Sequence, residues 1–503
     1  MIILLIILSF SFITCSNSAD ILVIFPTTAQ SHYRVIQPLI HSLLDRGHSI
    51  LSITNFPDSE YRANLSHIDI SRLKPHTKFS AGSHTLFPSN TFTRIINNLD
   101  NYGRILNYKP VVKLLQSKRK FDLVIVEIMT STPIFTPIAG VVNAPIIGVC
   151  PMFLFPWIKK VIGEPEVVSY MPNFFPMSNY TTESSVIQRT SNTLFHLFYT
   201  GLFDWLFSIK VPVKVEKHYG IRLSTLESMS NISLILLNSH LSIFPAVPHA
   251  PGIIEIGGIH IVDVKPIPKD LEEFIDDSKN GVIIFSLGSI VSEDTIGQDK
   301  LDSIFDIFSM LKERIIMKLD LKNNITSPSN VKIVKWLPQR DLLAHPKVLL
   351  FISHGGLMSV FEAVHCGKPI VGIPIFGDQP ANIKYLVYKK VAVLVSYENL
   401  GTSIFNEAIQ TALSTEFRKN MKQLQQLYFD RPQSPLQTAL FWTEYVLKNE
   451  NSIPDVLKTK QIYLNWFQTY LLDISVTLTL ICLLTIYFLK TVFVFFNNYS
   501  YNN

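Results

Sequence analysis

The sequence predicts an α/β protein of two doubly wound, Rossmann-like domains that face each other across a cleft, followed by one transmembrane helix. Strand-like and helix-like apolar patterns alternate in two separate series. The proline-punctuated stretch Phe244–Gly252 lies between the two series. A long apolar run stands near the C-terminus. With 503 residues, 47% of them hydrophobic and 17% charged, the chain suits a membrane-attached globular protein, and its composition excludes a disordered one.

Residues 1–19 are predicted to be a secretory signal peptide. The apolar run Ile2–Leu8 is followed by small and polar residues up to Ala19, a pattern typical of a cleavage region. No Lys or Arg precedes the apolar run, so an uncleaved membrane anchor stays open as the alternative.

Residues 20–245 are predicted to form the first domain. The strand Asp20–Phe25, a loop from Pro26 to His32 and an amphipathic helix start a βαβ unit. Gly47 ends that helix and the strand Ser49–Ile53 follows. Further strands are predicted at Leu123–Glu127 and Ile146–Val149. From residue 151 to 230 the pattern becomes aromatic and irregular, which fits either the walls of an acceptor pocket or ordinary core packing.

Residues 246–450 are predicted to form the second domain. Its strands are expected at 282–285, 315–319, 331–334 and 391–395, with a helix near 298–312. Between them, the apolar strand Leu349–Ile352 runs into His354-Gly355-Gly356 and then a helix. A helix N-terminus beside glycines offers free N–H groups and partial positive charge, and this suits a diphosphate.

The flanks of this glycine loop carry a family resemblance. Ser353 precedes His354, Gly356 lies two residues beyond it, and Glu362, Pro374 and the pair Asp378-Gln379 follow. Together with Trp336 and Gln339 upstream, this segment resembles the donor signature of UDP-glycosyltransferases, and the chain looks most like the insect membrane-bound branch. Met358 departs from the pattern, because many relatives carry Asn there.

The resemblance implies a role for each matching residue. It implies that Trp336 stacks on uracil, that Gln339 binds the base edge and that Glu362 accepts hydrogen bonds from the ribose. It also implies that the diphosphate is held by His354, Gly356, Ser359 and Ser289, and the donor sugar by Asp378 and Gln379.

The resemblance further implies the glycosyltransferase B-type fold over nearly the whole mature chain, with the donor on the second domain and the acceptor on the first. The UDP-sugar is then a co-substrate, and no other cofactor is expected. The sequence contains no Asp-X-Asp pair, so we expect metal-independent transfer in which helix dipole, His354 and Ser289 compensate the leaving UDP.

Transfer to a hydroxyl group needs a general base, and His32 is the candidate. A lone histidine in a loop is more often a solvated or capping residue, but relatives carry their base at the end of the first strand. Glu127 stands where many relatives have the aspartate that orients the base, so its assignment as partner stays provisional. Asp122 is expected to be structural.

The predicted function is inverting transfer of a hexose from a UDP-sugar to hydroxyl groups of small lipophilic acceptors. Glucose is expected from the insect-like branch, with glucuronate as the open alternative. A second hypothesis is a catalytically impaired UDP-binding relative that acts as a binding or chaperone-like protein, because Glu127 and Met358 depart from common patterns. A homo-oligomer is neither indicated nor excluded.

The C-terminal region is predicted to comprise a juxtamembrane segment at 451–473, a membrane span at 474–496 and a cytosolic tail at 497–503. The resemblance implies a single-pass type I protein of the endoplasmic reticulum membrane, with lumenal domains and a role in detoxification. Asn-X-Ser/Thr triplets at Asn64, Asn179, Asn231 and Asn324 fit a lumenal glycoprotein. A net charge of +5 without a long basic run argues against nucleic acid, and Cys150 and Cys366 imply no disulfide framework.

Overall fold

A computed structural model of the chain describes residues 18–73, 91–129, 131–171, 185–207, 225–288, 296–320, 326–375, 377–449 and 456–501. Most of the predicted signal peptide, Ser289, Asn179 and Asn324 lie outside these residues.

The first domain is built on a seven-stranded sheet in which every neighbouring pair of strands is parallel. Its strands are β1 (Asp20–Phe25), β2 (Ser49–Thr54), β3 (Leu65–Asp69), β4 (Leu123–Glu127), β5 (Ile146–Cys150), β6 (Ile232–Leu237) and β7 (Ile253–Glu255). The order across the sheet is β3-β2-β1-β4-β5-β6-β7. The chain therefore reverses its direction of travel between β1 and β4, the place where doubly wound sheets form their binding crevice.

The second domain repeats this plan with six parallel strands in the order β10-β9-β8-β11-β12-β13. These strands are β8 (Val282–Ser286), β9 (Arg314–Lys318), β10 (Val331–Val334), β11 (Val348–Ser353), β12 (Ile370–Gly372) and β13 (Ala392–Leu394). Here the reversal falls between β8 and β11. The predicted strands of this domain are confirmed, with small shifts of their ends.

Helices cover both faces of each sheet. Those of the first half are α1 (Gln30–Asp45), α2 (Thr91–Leu106), α3 (Lys109–Gln116), α4 (Pro137–Val142), α5 (Pro156–Ile162), α6 (Val186–Trp205) and α7 (Thr225–Ser230). Those of the second half are α8 (Lys269–Asp276), α9 (Gln298–Ser309), α10 (Gln339–Ala344), α11 (Leu357–His365), α12 (Gln379–Tyr388), α13 (Ser403–Ala412), α14 (Thr415–Phe429) and α15 (Pro435–Lys448). The last two are α16 (Trp466–Thr469) and α17 (Leu472–Tyr501).

The predicted domain ranges 20–245 and 246–450 need two corrections, one just after residue 245 and one just before residue 450. Strand β7 extends the first sheet past that residue, because its main chain pairs with β6. Helix α15 follows the second domain in sequence, yet Ala439, Leu440 and Val446 join the apolar core of the first domain on the side of α1. An ion pair between Arg46 and Glu444 also joins α1 to α15. The chain thus passes between the domains twice.

The two passages lie against each other. The first follows β7 through Gly257, and the second leaves α14 through Arg431. The Nη1 atom of Arg431 donates to the Gly257 carbonyl at 3.2 Å, and the Tyr428 hydroxyl lies 3.4 Å from the same oxygen. Both links between the domains are therefore held at one place.

The C-terminal helix matches the predicted membrane span and is longer than expected. Within residues Leu472–Asn498 of α17, the most apolar 18-residue stretch has a mean hydropathy of 2.2, and none of it is buried by the described protein. Its length and composition are sufficient to cross a bilayer. Before it, residues 456–463 pack back against the first domain, where Thr459 donates its main-chain N–H to the Ile162 carbonyl at 3.3 Å.

Asn64, one of the expected glycan acceptors, uses its side-chain amide for hydrogen bonds within the first domain. Its Nδ2 atom donates to the main-chain carbonyls of Leu44 at 3.0 Å and His48 at 2.9 Å. The amide therefore bridges the end of α1 to β2, and a glycan on Nδ2 would cost at least one of these bonds.

Candidate active site

His32 and Glu127 meet at the crevice of the first sheet. His32 lies in the first turn of α1, after the carboxyl end of β1, and Glu127 is the last residue of the adjacent β4. The His32 Nδ1 atom is 2.8 Å from Glu127 Oε1. The extra methylene of glutamate therefore does not prevent the imidazole–carboxylate contact.

The prediction that His32 lies in a loop is wrong. Helix α1 already begins at Gln30, because the His32 N–H donates to the Ala29 carbonyl at 3.1 Å and starts the first turn. Asp122, as expected, is structural: its Oδ2 atom accepts the Asp20 N–H at 2.7 Å.

The environments of the two side chains differ. The Glu127 side chain is 1% exposed, whereas His32 keeps 18% of its side chain accessible. Because Nδ1 faces the buried carboxylate, this geometry favours the tautomer in which Nδ1 carries the proton and Nε2 keeps a lone pair. Such an imidazole can accept a proton on the side away from Glu127.

Asp378 brings the second domain to the same place. It precedes α12, and its pKa is raised chiefly by burial, while a hydrogen bond from Asn382 and the charge of His32 act to lower it. The Asn382 Nδ2 atom donates to Asp378 Oδ2 at 2.7 Å and to the Gly355 carbonyl at 3.0 Å. One amide thus ties the predicted sugar-binding carboxylate to the glycine loop, across from the imidazole of the first domain.

The nucleoside half of the predicted donor site is assembled around Gln339. Its Nε2 atom donates to Ser359 Oγ at 3.0 Å and to Glu362 Oε2 at 2.6 Å. Burial raises the pKa of Glu362, and the Gln339 bond opposes that rise. The structure brings together three residues that the sequence predicted separately.

Trp336 and Lys318 form the outer part of this site. Trp336 follows β10 and is 65% exposed, so its ring face is accessible for stacking. The Lys318 Nζ atom lies 5.6 Å from the ring centroid. Sequence reasoning missed Lys318, although its place as the last residue of β9 puts it at the carboxyl edge of the sheet.

His354 stands between two glycines at the crevice of the second sheet. A Cβ on Gly356 would lie 2.6 Å from its Nε2 atom, and one on Gly288 would lie 3.1 Å from its Cε1 atom. Gly288 and Gly355 also have positive φ, which a residue with a side chain adopts only under strain. Glycines here let the main chain approach the imidazole closely.

Burial, assisted by the charge of Lys318, lowers the pKa of His354 to about 4. The imidazole is therefore neutral near pH 7, and it offers hydrogen bonds without supplying a positive charge. The part that His354 plays in compensating the leaving UDP stays a prediction. Lys318 is a cation that the structure brings close to this imidazole.

Gln379 is buried, and its Oε1 atom accepts the Ile375 N–H at 2.8 Å. This contact shapes the loop before Asp378, so the sugar contact that the resemblance implies stays a prediction for this residue. Ser289 lies outside the described residues, and its role also stays a prediction.

Two parallel, doubly wound sheets that face each other with a histidine–carboxylate pair on one side and a nucleotide-type glycine loop on the other define a glycosyltransferase of the B-type fold. The family model described as "UDP-glucoronosyl and UDP-glucosyl transferase" matches residues 19–502. The chain belongs to this family, and it is a hexosyltransferase enzyme.

Individual proteins agree with this membership. UDP-glucosyltransferase 2 of Dactylopius coccus is 34% identical over 487 residues, which cover 94% of this chain and 93% of that protein. UDP-glucuronosyltransferase 2B7 of Homo sapiens is 28% identical over 527 residues, covering 97% and 95%. Among solved structures, the glycotransferase of kitacinnamycin has a TM-score of 0.59 at 15% identity, covering 85% of this chain and 99% of that one.

Proposed function

We propose that the protein transfers a hexose, glucose in the first instance, from a UDP-sugar to a hydroxyl group of a small lipophilic acceptor, with inversion at the anomeric carbon. The 2.8 Å contact between His32 and Glu127, facing the donor-side residues of the second domain, is the observation that carries this proposal. The name of the 34% identical glucosyltransferase supports glucose as the donor sugar.

In the proposed step, Nε2 of His32 takes the proton of the acceptor hydroxyl group while the oxygen of that hydroxyl group bonds to the anomeric carbon. The bond from that carbon to the UDP oxygen breaks, and UDP leaves with the electron pair. Glu127 holds the Nδ1 proton and stabilises the imidazolium that forms. The proton on Nε2 passes to solvent afterwards, which regenerates the base.

Charge on the leaving UDP would be met by Lys318 and by the N-terminus of α11, where Gly356 stands in the capping position. Ser359 in the first turn and the neutral His354 would add hydrogen bonds. These groups support transfer without a metal ion. Trp336, Gln339 and Glu362 would hold the uridine, and Asp378 with Gln379 would hold the sugar.

We also propose that α17 anchors the protein in the endoplasmic reticulum membrane as a single-pass type I protein with both domains in the lumen. The apolar stretch within Leu472–Asn498 supports the membrane span, and the orientation and compartment follow from the family resemblance. A lumenal, membrane-attached enzyme would meet lipophilic acceptors at the bilayer, which fits conjugation of such compounds in detoxification.

UDP release from microsomes that contain the full chain tests the function. UDP-glucose and UDP-glucuronate would each be supplied with phenols, steroids and fatty alcohols. His32→Ala removes the base and also leaves the buried Glu127 carboxylate without a hydrogen-bond donor. His32→Gln is the matched variant, because its amide can donate to Glu127 but cannot act as a base. We expect acceptor-dependent release with UDP-glucose, lost in both variants. Full activity in the correctly folded His32→Gln protein would refute the assignment of the base.

A further inference from the structure

The first connection between the domains packs closely against helix α11. A Cβ on Gly257 would lie 2.4 Å from the Cζ atom of Phe361. Gly258 follows with a φ of +89°, and the Ile261 N–H donates to its carbonyl at 3.0 Å, so the chain turns here. His260 lies in this turn, and its ring centroid is 6.3 Å from that of Phe361, edge to face. The turn therefore directs the imidazole of His260 onto α11.

The two ring nitrogens of His260 have different surroundings. Its side chain is 3% exposed. The Nε2 atom lies 3.3 Å from the Met358 carbonyl oxygen and 3.9 Å from Glu362 Oε1. Both neighbours are acceptors, so Nε2 carries the proton; it donates to the carbonyl, and the longer distance to the carboxylate is an electrostatic contact. The Nδ1 atom is buried without a hydrogen-bond partner among the described residues.

Packing alone does not require a histidine at this place. Burial lowers the pKa of His260 to about 3, the hydrogen bond to Met358 opposes this shift, and the charges of Arg34 and Arg340 add to it. The imidazole is therefore neutral near pH 7. A buried ring nitrogen without a partner destabilises the fold, and an apolar side chain of similar size would avoid that penalty. The histidine thus needs an explanation beyond the core.

The carboxylate of Glu362 supplies one. Its Oε2 atom accepts from Gln339 Nε2 at 2.6 Å, and its Oε1 atom faces the N–H group of His260. The Glu362 side chain is 14% exposed, so part of it stays accessible to a ligand. In a buried site, the dipole of a fixed N–H group attracts a carboxylate more strongly than it would in water. Gln339 and His260 together therefore favour one orientation of the carboxylate.

We propose that His260 is a positioning residue for the donor: its Nε2–H group holds the Glu362 carboxylate in the orientation that accepts hydrogen bonds from the ribose, and it thereby sets the preference for a ribonucleotide over a deoxyribonucleotide. This inference rests on the proposed function, in which Glu362 binds the ribose. His260 also belongs to the connection whose Gly257 carbonyl accepts from Arg431. The ribose site is therefore built on the segment that joins the domains.

Calorimetric titration of the full chain with UDP and with 2′-deoxy-UDP tests the inference. His260→Leu removes the N–H group and keeps a side chain of similar size. His260→Gln is the conservative variant, because its amide can donate from nearly the same position. His240→Leu is the control: His240 is also a buried histidine, but its Nδ1 atom contacts Ser242 Oγ at 2.7 Å. The melting temperature of each protein would be measured alongside.

We expect the wild type to bind UDP about tenfold more tightly than 2′-deoxy-UDP, the loss that a hydrogen bond to a charged group predicts. His260→Leu should weaken UDP binding by about the same factor and leave 2′-deoxy-UDP binding nearly unchanged, so that the preference disappears. His260→Gln should keep most of the preference, and His240→Leu should keep all of it. In the transferase assay, His260→Leu should raise the KM for the UDP-sugar and leave kcat nearly unchanged.

The possible failures are distinguishable. Equal weakening of both nucleotides in His260→Leu would overturn the inference, since the residue would then be merely structural. A full preference for UDP in His260→Leu, together with its loss in Glu362→Ala, would overturn the role of His260 and support that of Glu362. A wild type that binds both nucleotides equally would contradict the ribose contact and this inference together. If His260→Leu does not fold, His260→Asn, whose amide is too short to replace Nε2, has the same expected result.

Discussion

The Nδ1 atom of His32 lies 2.8 Å from Oε1 of Glu127, and the glutamate is the more deeply buried of the two. The pair joins the start of α1 to the end of β4 at the reversal point of the first sheet. In the proposed mechanism, the carboxylate would select the tautomer of the base and would stabilise the imidazolium during transfer.

Glu127→Gln should lower kcat about 100- to 10,000-fold, with the KM for the UDP-sugar nearly unchanged. The Gln amide can donate to Nδ1 and so favours the tautomer whose proton sits on Nε2, where it blocks proton acceptance. Steady-state kinetics with both substrates varied is the measurement. Glu127→Asp is the matched variant. It keeps the carboxylate that accepts the hydrogen bond from His32 but places it one methylene farther away, so kcat should fall less than in Glu127→Gln. Wild-type kcat in Glu127→Gln would contradict the role given to this residue.

Lys318→Ala should weaken UDP binding about 10- to 100-fold, because a charged hydrogen bond contributes roughly 1.5–3 kcal/mol. Calorimetric titration with UDP measures the change. Lys335→Ala is the control, since Lys335 is 80% exposed and lies 3.1 Å from Asp320. Equal losses in the two variants would mean that general charge, and not the position of Lys318, governs binding.

Gly356→Ala should weaken UDP binding by a larger free energy than it removes from the stability of the fold. The new Cβ would lie 2.6 Å from Nε2 of His354 and would displace the imidazole at the first turn of α11. UDP affinity and melting temperature would be measured together. Gly103→Ala in α2 is the control, because a Cβ there meets nothing within 4 Å and alanine is the better helix former. An unaltered UDP affinity in Gly356→Ala would argue against close contact at this loop.

His240→Asn should make the protein more resistant to acid. Burial lowers the pKa of His240 to about 4, so this imidazole is neutral in the folded protein and protonates more readily when unfolded. The neutral imidazole contributes fully to the free energy of unfolding above pH 6.5, and this contribution is lost as the pH falls toward 4. At pH 5 the free energy of unfolding is lower by about 2 kcal/mol on this account.

The asparagine keeps an acceptor for the N–H and hydroxyl groups of Ser242, which His240 Nδ1 contacts at 3.3 and 2.7 Å. The free energy of unfolding, measured at several pH values between 7 and 5, should therefore fall less steeply with decreasing pH in the variant than in the wild type. If the free energy of unfolding fell equally with pH in the two proteins, His240 would not contribute to the loss of stability in acid.

The Asn64 side chain should carry no glycan in the folded enzyme, since its Nδ2 atom donates to two main-chain carbonyls. Mass spectrometry of peptides from protein made in insect cells would measure occupancy. Asn231, whose residue is exposed, provides the comparison within the same sample. Full occupancy at Asn64 would mean that the end of α1 folds without these bonds.

The sequence predicted the strands well because parallel strands buried on both faces appear as short apolar runs. Segments such as Leu123–Glu127 and Val331–Val334 are found as predicted. The donor-side residues were assigned through the family resemblance, and their roles stay predictions. The start of α1 was missed because no capping side chain marks Ala29, whose carbonyl is what the His32 N–H contacts.

Other features depend on the three-dimensional arrangement and have no local sequence signal. Helix α15 has an ordinary amphipathic pattern that does not reveal which domain it will cover. Lys318 looks like any lysine at the end of a strand until β9 is placed beside β8. The short strand β7 follows a run of prolines, and only its pairing with β6 identifies it.

The contact between Arg431 and Gly257 brings the two connections between the domains together at one point. If the two connections crossed far apart, any change in the cleft would stretch one of them. Because they cross at one point, that point can serve as a pivot, and the domains can turn about it while both connections keep their length. A rotation about this point would change the width of the cleft and leave the internal packing of each sheet intact.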